Sequence, residues 1–107
     1  MKYGFLGCGN MGGAIARALS RSTKDIAVTD RSGKAEQLAR ELGLLYTDNA
    51  AIATNSKRIF LAVKPFLIQK VVEEITPHLS GKILVSMAAG LKIESIREAC
   101  AVADAVQ

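Results

Sequence analysis

The sequence begins with a glycine pattern that is typical of phosphate binding. Gly7, Gly9 and Gly12 stand at the spacing G-x-G-x-x-G, directly after a short apolar run and at the start of a helical pattern. In this context the first glycine permits a tight turn, the second lets a pyrophosphate approach the backbone, and the third lets the helix pack closely on the strand. The N–H groups that open the helix also attract an anion. The pattern therefore predicts a dinucleotide site, in which Cys8 fills space because no histidine near it in the sequence could activate its thiol.

The residues that follow the second predicted strand bear on the choice of cofactor. Asp30 is an acidic group at the position where a carboxylate pairs with the free ribose 2′-hydroxyl of NAD. Arg31, Ser32 and Lys34 come next, and they can surround the 2′-phosphate of NADP if Asp30 turns away. Arg31 and Lys34 are equally well explained as the solvated start of a helix. The spacing alone therefore leaves NAD and NADP both open.

Two further residues are candidates for chemistry. Lys64, at the end of the fourth predicted strand, could act as a catalytic base, but we favour a positioning residue in a turn beside the cofactor. His78 lies between Pro77 and Leu79 in a connection, and we expect it on the surface. No residue of the chain is assigned a catalytic part on this basis.

The elements that position these residues alternate along the chain. Apolar runs predict strands over residues 2–6, 25–30, 44–47, 58–63 and 83–87, and helical spacing fills the connections, ending with a helix that carries Ile93, Ile96 and Cys100. Strands that are apolar on both faces indicate a parallel sheet covered by helices on each side. The fold class predicted is α/β, a Rossmann-like doubly wound parallel sheet in three layers, formed by one domain over residues 1–107. Ligands of such sheets bind beyond the carboxyl ends of the strands, which end here at Leu6, Thr29, Val63 and Met87.

The composition excludes several other classes of protein. The 107 residues are 50% hydrophobic and 22% charged, which suits one domain, and no apolar run reaches the roughly 18 residues of a membrane-spanning helix. The net charge of +4 comes from scattered basic residues, and only 5% of residues are aromatic, which argues against a nucleic-acid partner. Two cysteines and one histidine are too few for a disulfide scaffold or a zinc site. We expect a cytoplasmic protein with no membrane partner and no metal.

Three stretches of the sequence resemble the signature stretches of pyrroline-5-carboxylate reductase. They are residues 4–15, 60–65 and 85–90, which read GFLGCGNMGGAI, FLAVKP and VSMAAG. The resemblance implies NAD(P)H binding, with the pyrophosphate at residues 6–11, the adenosine side at Asp30 and Asn49, the nicotinamide ribose at residues 62–65 and the nicotinamide end at residues 87–89. Together with the glycine pattern and the residues after the second strand, the residues assigned to the cofactor are Leu6, Gly7, Cys8, Gly9, Asn10, Met11, Gly12, Asp30, Arg31, Ser32, Asn49, Ala62, Val63, Lys64, Pro65, Met87, Ala88 and Ala89.

The resemblance also implies a reaction, in which a hydride passes from the nicotinamide to the carbon of a cyclic imine and gives proline. NADP is the cofactor we expect, with NAD as the alternative. Two other functions remain open: a stand-alone dinucleotide-binding module without catalysis, and a related NADP-dependent reductase of the deazaflavin-dependent or competence-associated kind. The stretches around Lys64 and residues 86–90 argue against that related reductase.

The end of the chain departs from the resemblance. The family continues into another strand of the sheet and then into a helical domain that forms the dimer and binds the substrate. Residues 101–107, AVADAVQ, predict neither the strand nor that domain. We expect from this that the carboxy-terminal dimerisation domain is absent, and that the surface it would cover leaves room for a homo-oligomer.

Overall fold

The computed structural model describes residues 2–86 and 105–106, and its elements alternate as the sequence predicts. The strands are β1 (Tyr3–Leu6), β2 (Ile26–Thr29), β3 (Leu45–Tyr46), β4 (Arg58–Leu61), β5 (Ile83–Ser86) and β6 (Ala105–Val106). The helices are α1 (Asn10–Leu19), α2 (Lys34–Leu42), α3 (Asn49–Asn55) and α4 (Pro65–Ile75), and a single 3₁₀ turn (Thr76–His78) follows α4. Within the described ranges, no helix is long and apolar enough to cross a membrane.

The six strands of the described residues run parallel in one sheet. Their order is β3-β2-β1-β4-β5-β6, so the order reverses between β1 and β4, which lie side by side with Leu6 opposite Leu61. This is the strand order of a doubly wound dinucleotide-binding fold, and it leaves a crevice where the order reverses. The predicted fold class is confirmed.

An apolar core lies on each face of the sheet. Adjacent residues of a strand point to opposite faces, so Phe5 packs with α1 and α2 whereas Leu6 packs with α3 and α4. Phe5 also stacks on Phe60 of β4, with ring centroids 4.6 Å apart. The sheet is therefore covered by helices on both sides, as the three predicted layers require.

Local signals in the sequence fix where several helices begin and end. Gly43 adopts a left-handed conformation (φ 72°) and ends α2, and Pro65 opens α4, where its missing N–H costs nothing. Asp48 caps α3 by accepting a hydrogen bond from the Ala51 N–H at 2.8 Å. The sequence allows either Asp48 or Asn49 as this cap, and the structure assigns it to Asp48, with Asn49 as the first residue of the helix.

Two expectations about strands are wrong. β4 ends at Leu61 rather than at residue 63, so residues 62–64 form a loop; Pro65 keeps Lys64 in an extended conformation. The expectation that residues 101–107 form no strand is also wrong, because β6 pairs with β5, with Ala105 opposite Ile83. The edge of β5 offers unpaired backbone groups, and a short apolar run can satisfy them without showing any alternation. The predicted helix that carries Ile93 lies outside the described residues.

Candidate nucleotide-binding site

The three glycines after β1 meet different surroundings. Gly7 has a φ of +99°, and a Cβ there would lie 2.6 Å from the Ala62 backbone oxygen. A Cβ at Gly12 would lie 2.5 Å from the Gly7 oxygen and 2.9 Å from the Ala62 side chain. A Cβ at Gly9 would have no neighbour within 4 Å. Gly7 and Gly12 are therefore required by packing and backbone conformation, whereas Gly9 leaves a space that a side chain would fill.

The start of α1 makes this space suitable for an anion. Gly9 is the N-cap of the helix and supplies no side chain to its N–H groups, and no acidic residue stands in the first turn. The first N–H groups of a helix have no partner within it, and the helix dipole adds partial positive charge. The open space at Gly9 is therefore suited to an anion, and the part of Gly9 beside a pyrophosphate stays a prediction.

A cleft of about 420 Å³ opens at the carboxyl ends of β1, β2 and β4. It brings together most of the described residues that the sequence assigns to the cofactor. These are Gly7, Cys8, Gly9, Asp30, Arg31, Ser32, Asn49, Ala62, Val63 and Lys64. The other described residues that line it are Thr29, Lys34, Asp48, Leu67, Val71 and Glu74.

Three other assigned residues, Leu6, Met11 and Gly12, are not among the described residues that line this cleft. The Leu6 side chain is fully buried in the core, and its carbonyl accepts the Ala62 N–H at 2.8 Å. Met11 is 60% exposed, and Gly12 packs beneath the loop. Asn10 opens α1 and Pro65 opens α4. Residues 87–89, which the resemblance places at the nicotinamide end, lie outside the described residues.

The carboxylate of Asp30 is engaged within its own turn. Its Oδ1 accepts a hydrogen bond from the Gly33 N–H at 3.0 Å. Its Oδ2 accepts hydrogen bonds from the Ala35 N–H at 3.0 Å and from the Ser32 hydroxyl at 3.1 Å. The side chains of Arg31 and Lys34 are exposed and flank the same cleft. The structure therefore shows the arrangement in which Asp30 turns toward the helix start and the cations face the ligand space.

The far end of the cleft is formed by α3 and α4. The Asn49 side-chain amide donates a hydrogen bond to Glu74 at 3.1 Å and so links the two helices. Leu67 and Val71 supply an apolar wall, which suits the flat face of a nucleobase. Leu67, Val71 and Glu74 are not predicted from the sequence to meet the ligand, since helical spacing marks the apolar face of α4 but not which of its residues line a cleft.

Lys64 stands at the mouth of the cleft, in the loop between β4 and α4. Its side chain is exposed, and its carbonyl accepts the Leu67 N–H at 2.9 Å at the start of α4. Lys64 thus lines the cleft, and its part stays a prediction: a positioning residue, which we favour, or a base.

Cys8 is a buried thiol rather than a nucleophile. Burial and, to a smaller extent, the negative charge of Asp30 together raise its pKa to about 12, although a backbone hydrogen bond with Thr29 opposes part of the shift. The thiolate is the reactive form, so the folded protein holds this sulfur in an inert state. This environment suits Cys8 as a small residue that fills space.

We expect the Cys8 thiol to resist modification in the folded chain. In a Cys100→Ser background, a disulfide reagent at pH 8 should label Cys8 only after unfolding, because a pKa of about 12 leaves roughly one thiol in 10⁴ ionised at that pH. The neutral thiol stabilises the folded state, and this stabilisation should decline as the pH rises from about 9 toward 12. Cys8→Ala should remove that part of the pH dependence. Rapid labelling of the folded chain would contradict the burial.

A second depression, of about 590 Å³, runs between α1 and α2. Arg17 and Glu41 bridge it with two hydrogen bonds of 2.7 and 3.0 Å. It is lined mainly by the sides of the two helices and shares Cys8, Gly9 and Lys34 with the smaller cleft. The described residues of its lining include none at the carboxyl ends of β2 and β4, where ligands of parallel sheets bind. The smaller cleft is therefore the candidate site.

Comparisons with known proteins bear on this site. The family model described as NADP oxidoreductase, coenzyme F420-dependent, matches residues 2–90. Pyrroline-5-carboxylate reductase 3 of Danio rerio is 36% identical over 104 residues, an alignment that covers 92% of this chain and 36% of that protein. The resemblance carried by the three sequence stretches is confirmed.

Solved structures agree with these sequence comparisons. A pyrroline-5-carboxylate reductase from Coxiella burnetii superposes with a TM-score of 0.84 at 33% identity, covering 92% of this chain and 39% of that one. Plasmodium falciparum pyrroline carboxylate reductase with NADP bound gives a TM-score of 0.76 at 28% identity, covering 97% and 38%. The chain thus spans less than two fifths of the length of the relatives it matches.

Proposed function

Because the chain belongs to the family described as NADP oxidoreductase, coenzyme F420-dependent, we propose that it binds NADP(H) in the cleft at the carboxyl ends of β1, β2 and β4. The observation that carries the proposal is the open space at Gly9, which is the N-cap of α1 and makes no side-chain cap to the helix. We further propose that the chain is the nucleotide-binding part of a pyrroline-5-carboxylate reductase, on the strength of its relatives.

The described residues divide among the parts of the nucleotide. The backbone at Gly9 and the first turn of α1 would hold the pyrophosphate, and Arg31 and Lys34 would hold a 2′-phosphate. Leu67 and Val71 would pack against the base, with Asn49 beside it. The loop over residues 62–65 would position the nicotinamide ribose, as the resemblance implies. When bound, the nicotinamide supplies the hydride that reduces the cyclic imine.

NADP is favoured over NAD by the charges around the cleft. Arg31 and Lys34 are exposed beside it, and the carboxylate that could pair with a free ribose hydroxyl is already engaged with Ser32, Gly33 and Ala35. The similar protein of Plasmodium falciparum has NADP bound. These observations support NADP, with NAD as the alternative cofactor.

Arg31→Ala should lower the preference for NADPH over NADH. A charge-assisted contact to a phosphate contributes about 1.5–3 kcal/mol, so the ratio of the two dissociation constants should shift by roughly tenfold or more. Arg40→Ala is the matched control, because Arg40 is also exposed and on α2 but pairs with Glu36 and does not line the cleft. Calorimetric titration with both nucleotides measures the ratio, and an unchanged ratio in Arg31→Ala would remove Arg31 from the site.

The isolated 107-residue chain is expected to bind NADPH and to reduce pyrroline-5-carboxylate at no appreciable rate. Rate enhancement requires the imine to be held at near-attack distance and its developing charge to be stabilised. Under this proposal the described residues of the cleft hold the nucleotide, and none of them is assigned to the imine. Steady-state oxidation of NADPH at several protein concentrations checks this. Robust turnover would refute the expectation, and a rate that rises faster than linearly would indicate a site completed by assembly.

A chimera tests the reductase proposal itself. The chain would replace the matching segment of the Coxiella burnetii reductase, to which it is 33% identical. We expect the chimera to oxidise NADPH in the presence of pyrroline-5-carboxylate, and the same chimera with Gly9→Val to lose that activity. A folded, NADPH-binding chimera without turnover would contradict the reductase proposal while leaving the nucleotide site intact.

A second candidate follows from the family model, whose description names coenzyme F420, a deazaflavin, as the second reactant. Reduction of NADP by reduced coenzyme F420 would favour this candidate, and oxidation of NADPH by the cyclic imine would favour the first. A stand-alone binding module would show neither reaction. A cytoplasmic location and a homo-oligomeric state stay predictions from the sequence.

A further inference from the structure

The turn that joins β2 to α2 is organised around one carboxylate. Both oxygens of Asp30 accept hydrogen bonds from this turn, from the N–H groups of Gly33 and Ala35 and from the Ser32 hydroxyl. The side chain is only partly buried, so these contacts rather than packing hold it in place. Both carboxylate oxygens of Asp30 are therefore hydrogen-bonded within the chain itself.

Helix α2 depends on this carboxylate because its N-cap residue cannot accept hydrogen bonds from the first turn. The residue at that position is Gly33, which has a φ of +87° and no side chain to accept a hydrogen bond from the first turn. Asp30 reaches forward and accepts from Ala35, one of the N–H groups that the helix leaves without an internal partner. Its negative charge also stands at the positive end of the α2 dipole. The conformation of residues 30–35 thus depends on Asp30.

The same turn carries the cations that flank the cleft. Arg31 and Lys34 lie within the segment that Asp30 folds, and both line the ligand space. We propose that Asp30 is a positioning residue that presents Arg31 and Lys34 to the 2′-phosphate of NADP, and that it is not the acceptor of a ribose hydroxyl. This inference rests on the proposed nucleotide site. The position of Asp30 after the second strand indicates a residue that favours NAD. The inference instead gives Asp30 a role that favours NADP.

The two roles considered for Asp30, ordering the turn and accepting the ribose hydroxyl, predict opposite changes in the preference for NADPH when the carboxylate is removed. If Asp30 orders the turn, Asp30→Ala should raise the dissociation constant of NADPH about tenfold, equivalent to about 1.4 kcal/mol, and that of NADH by less. The preference for NADPH should therefore fall. If Asp30 accepts the ribose hydroxyl, the variant should weaken NADH binding and relieve repulsion of the 2′-phosphate, so the preference for NADPH should rise. Calorimetric titration of the full chain with each nucleotide measures the direction.

Two further variants keep the test decisive if Asp30→Ala does not fold. Asp30→Asn retains one acceptor oxygen, so the preference for NADPH should fall by a smaller factor; a rise in this variant would overturn the inference. Glu36→Gln is the matched control, because it takes the same charge from the first turn of α2 without touching the N–H groups of residues 33 and 35. Its preference should match that of the parent.

Amide hydrogen exchange of the unliganded chain gives a readout independent of the nucleotide. We expect the N–H groups of Gly33 and Ala35 to be protected in the parent and to exchange at least several-fold faster in Asp30→Asn, while the Ala51 N–H, capped by Asp48, is unchanged. Equal exchange in parent and variant would contradict the inference. A parent that binds neither nucleotide would contradict the proposed function instead, so the two failures are distinguishable.

Discussion

Gly9→Val should abolish dinucleotide binding while the unliganded chain stays folded. The backbone at Gly9 has a φ of −70°, which valine adopts, and a Cβ there meets no atom within 4 Å. The branched side chain would stand where the pyrophosphate approaches the backbone, so we expect the dissociation constant of NADPH to rise at least about a hundredfold, or about 2.8 kcal/mol. The free energy of unfolding should change by no more than about 1 kcal/mol, the scale of an N-cap substitution.

Ala14→Val is the control for this variant. Ala14 is exposed on the same helix and lines the depression between α1 and α2 rather than the cleft. It should bind NADPH as the parent does. If Gly9→Val binds as tightly as the parent, or if Ala14→Val is the variant that loses binding, the nucleotide does not occupy the cleft at Gly9.

Valine in place of Gly12, three residues later, should have the opposite consequence: it should destabilise the unliganded fold. Gly12→Val places a Cβ 2.5 Å from the Gly7 oxygen and 2.9 Å from the Ala62 side chain, and neither the backbone nor a methyl group beside it can move far. Overpacking of this kind costs about 1–3 kcal/mol and occasionally more, and the branched side chain adds atoms beyond the Cβ. We expect a loss of about 3 kcal/mol or more, a large share of the roughly 5–15 kcal/mol that stabilises a folded protein.

Urea unfolding of the unliganded variants measures this difference. Gly9→Val is the matched comparison, because it introduces the same side chain three residues away, at the N-cap of the same helix. The unfolding midpoint should fall sharply in Gly12→Val and little in Gly9→Val. Equal midpoints for Gly12→Val and the parent would show that α1 does not pack against the loop as closely as the structure has it.

The sequence predicts those parts of the fold whose causes are local. Gly43 ends α2 because it adopts a left-handed φ, and Pro65 opens α4 because its fixed φ suits a first turn. The glycine pattern locates the cleft for the same reason, since its spacing and the flanking elements together require a turn at Gly7 and close packing at Gly12. At these positions a residue and its near neighbours in the sequence are enough to predict the local structure.

Other features depend on contacts that spacing does not show. Whether Asp30 faces a ribose or its own helix is decided by the backbone at Gly33, whose positive φ directs the N–H groups of the turn toward the carboxylate. The two-residue strand β6 has no alternation to recognise, and it exists because β5 has a free edge. Glu74 joins the cleft only because Asn49 and α3 stand opposite it. Each of these follows from tertiary structure rather than from sequence periodicity.

The most direct test of the nucleotide site is a titration of the isotope-labelled chain with NADPH, followed by the amide signals in heteronuclear NMR spectra. We expect saturable shifts at the glycine loop (residues 7–9), at the start of α2 (residues 31–34) and in the loop over residues 62–64. The amides of Arg17, Arg21 and Gln37, along the depression between α1 and α2, should stay in place. Shifts at Arg17, Arg21 and Gln37 without shifts at residues 31–32 and 62–64, or no shifts with NADPH in excess, would contradict the site.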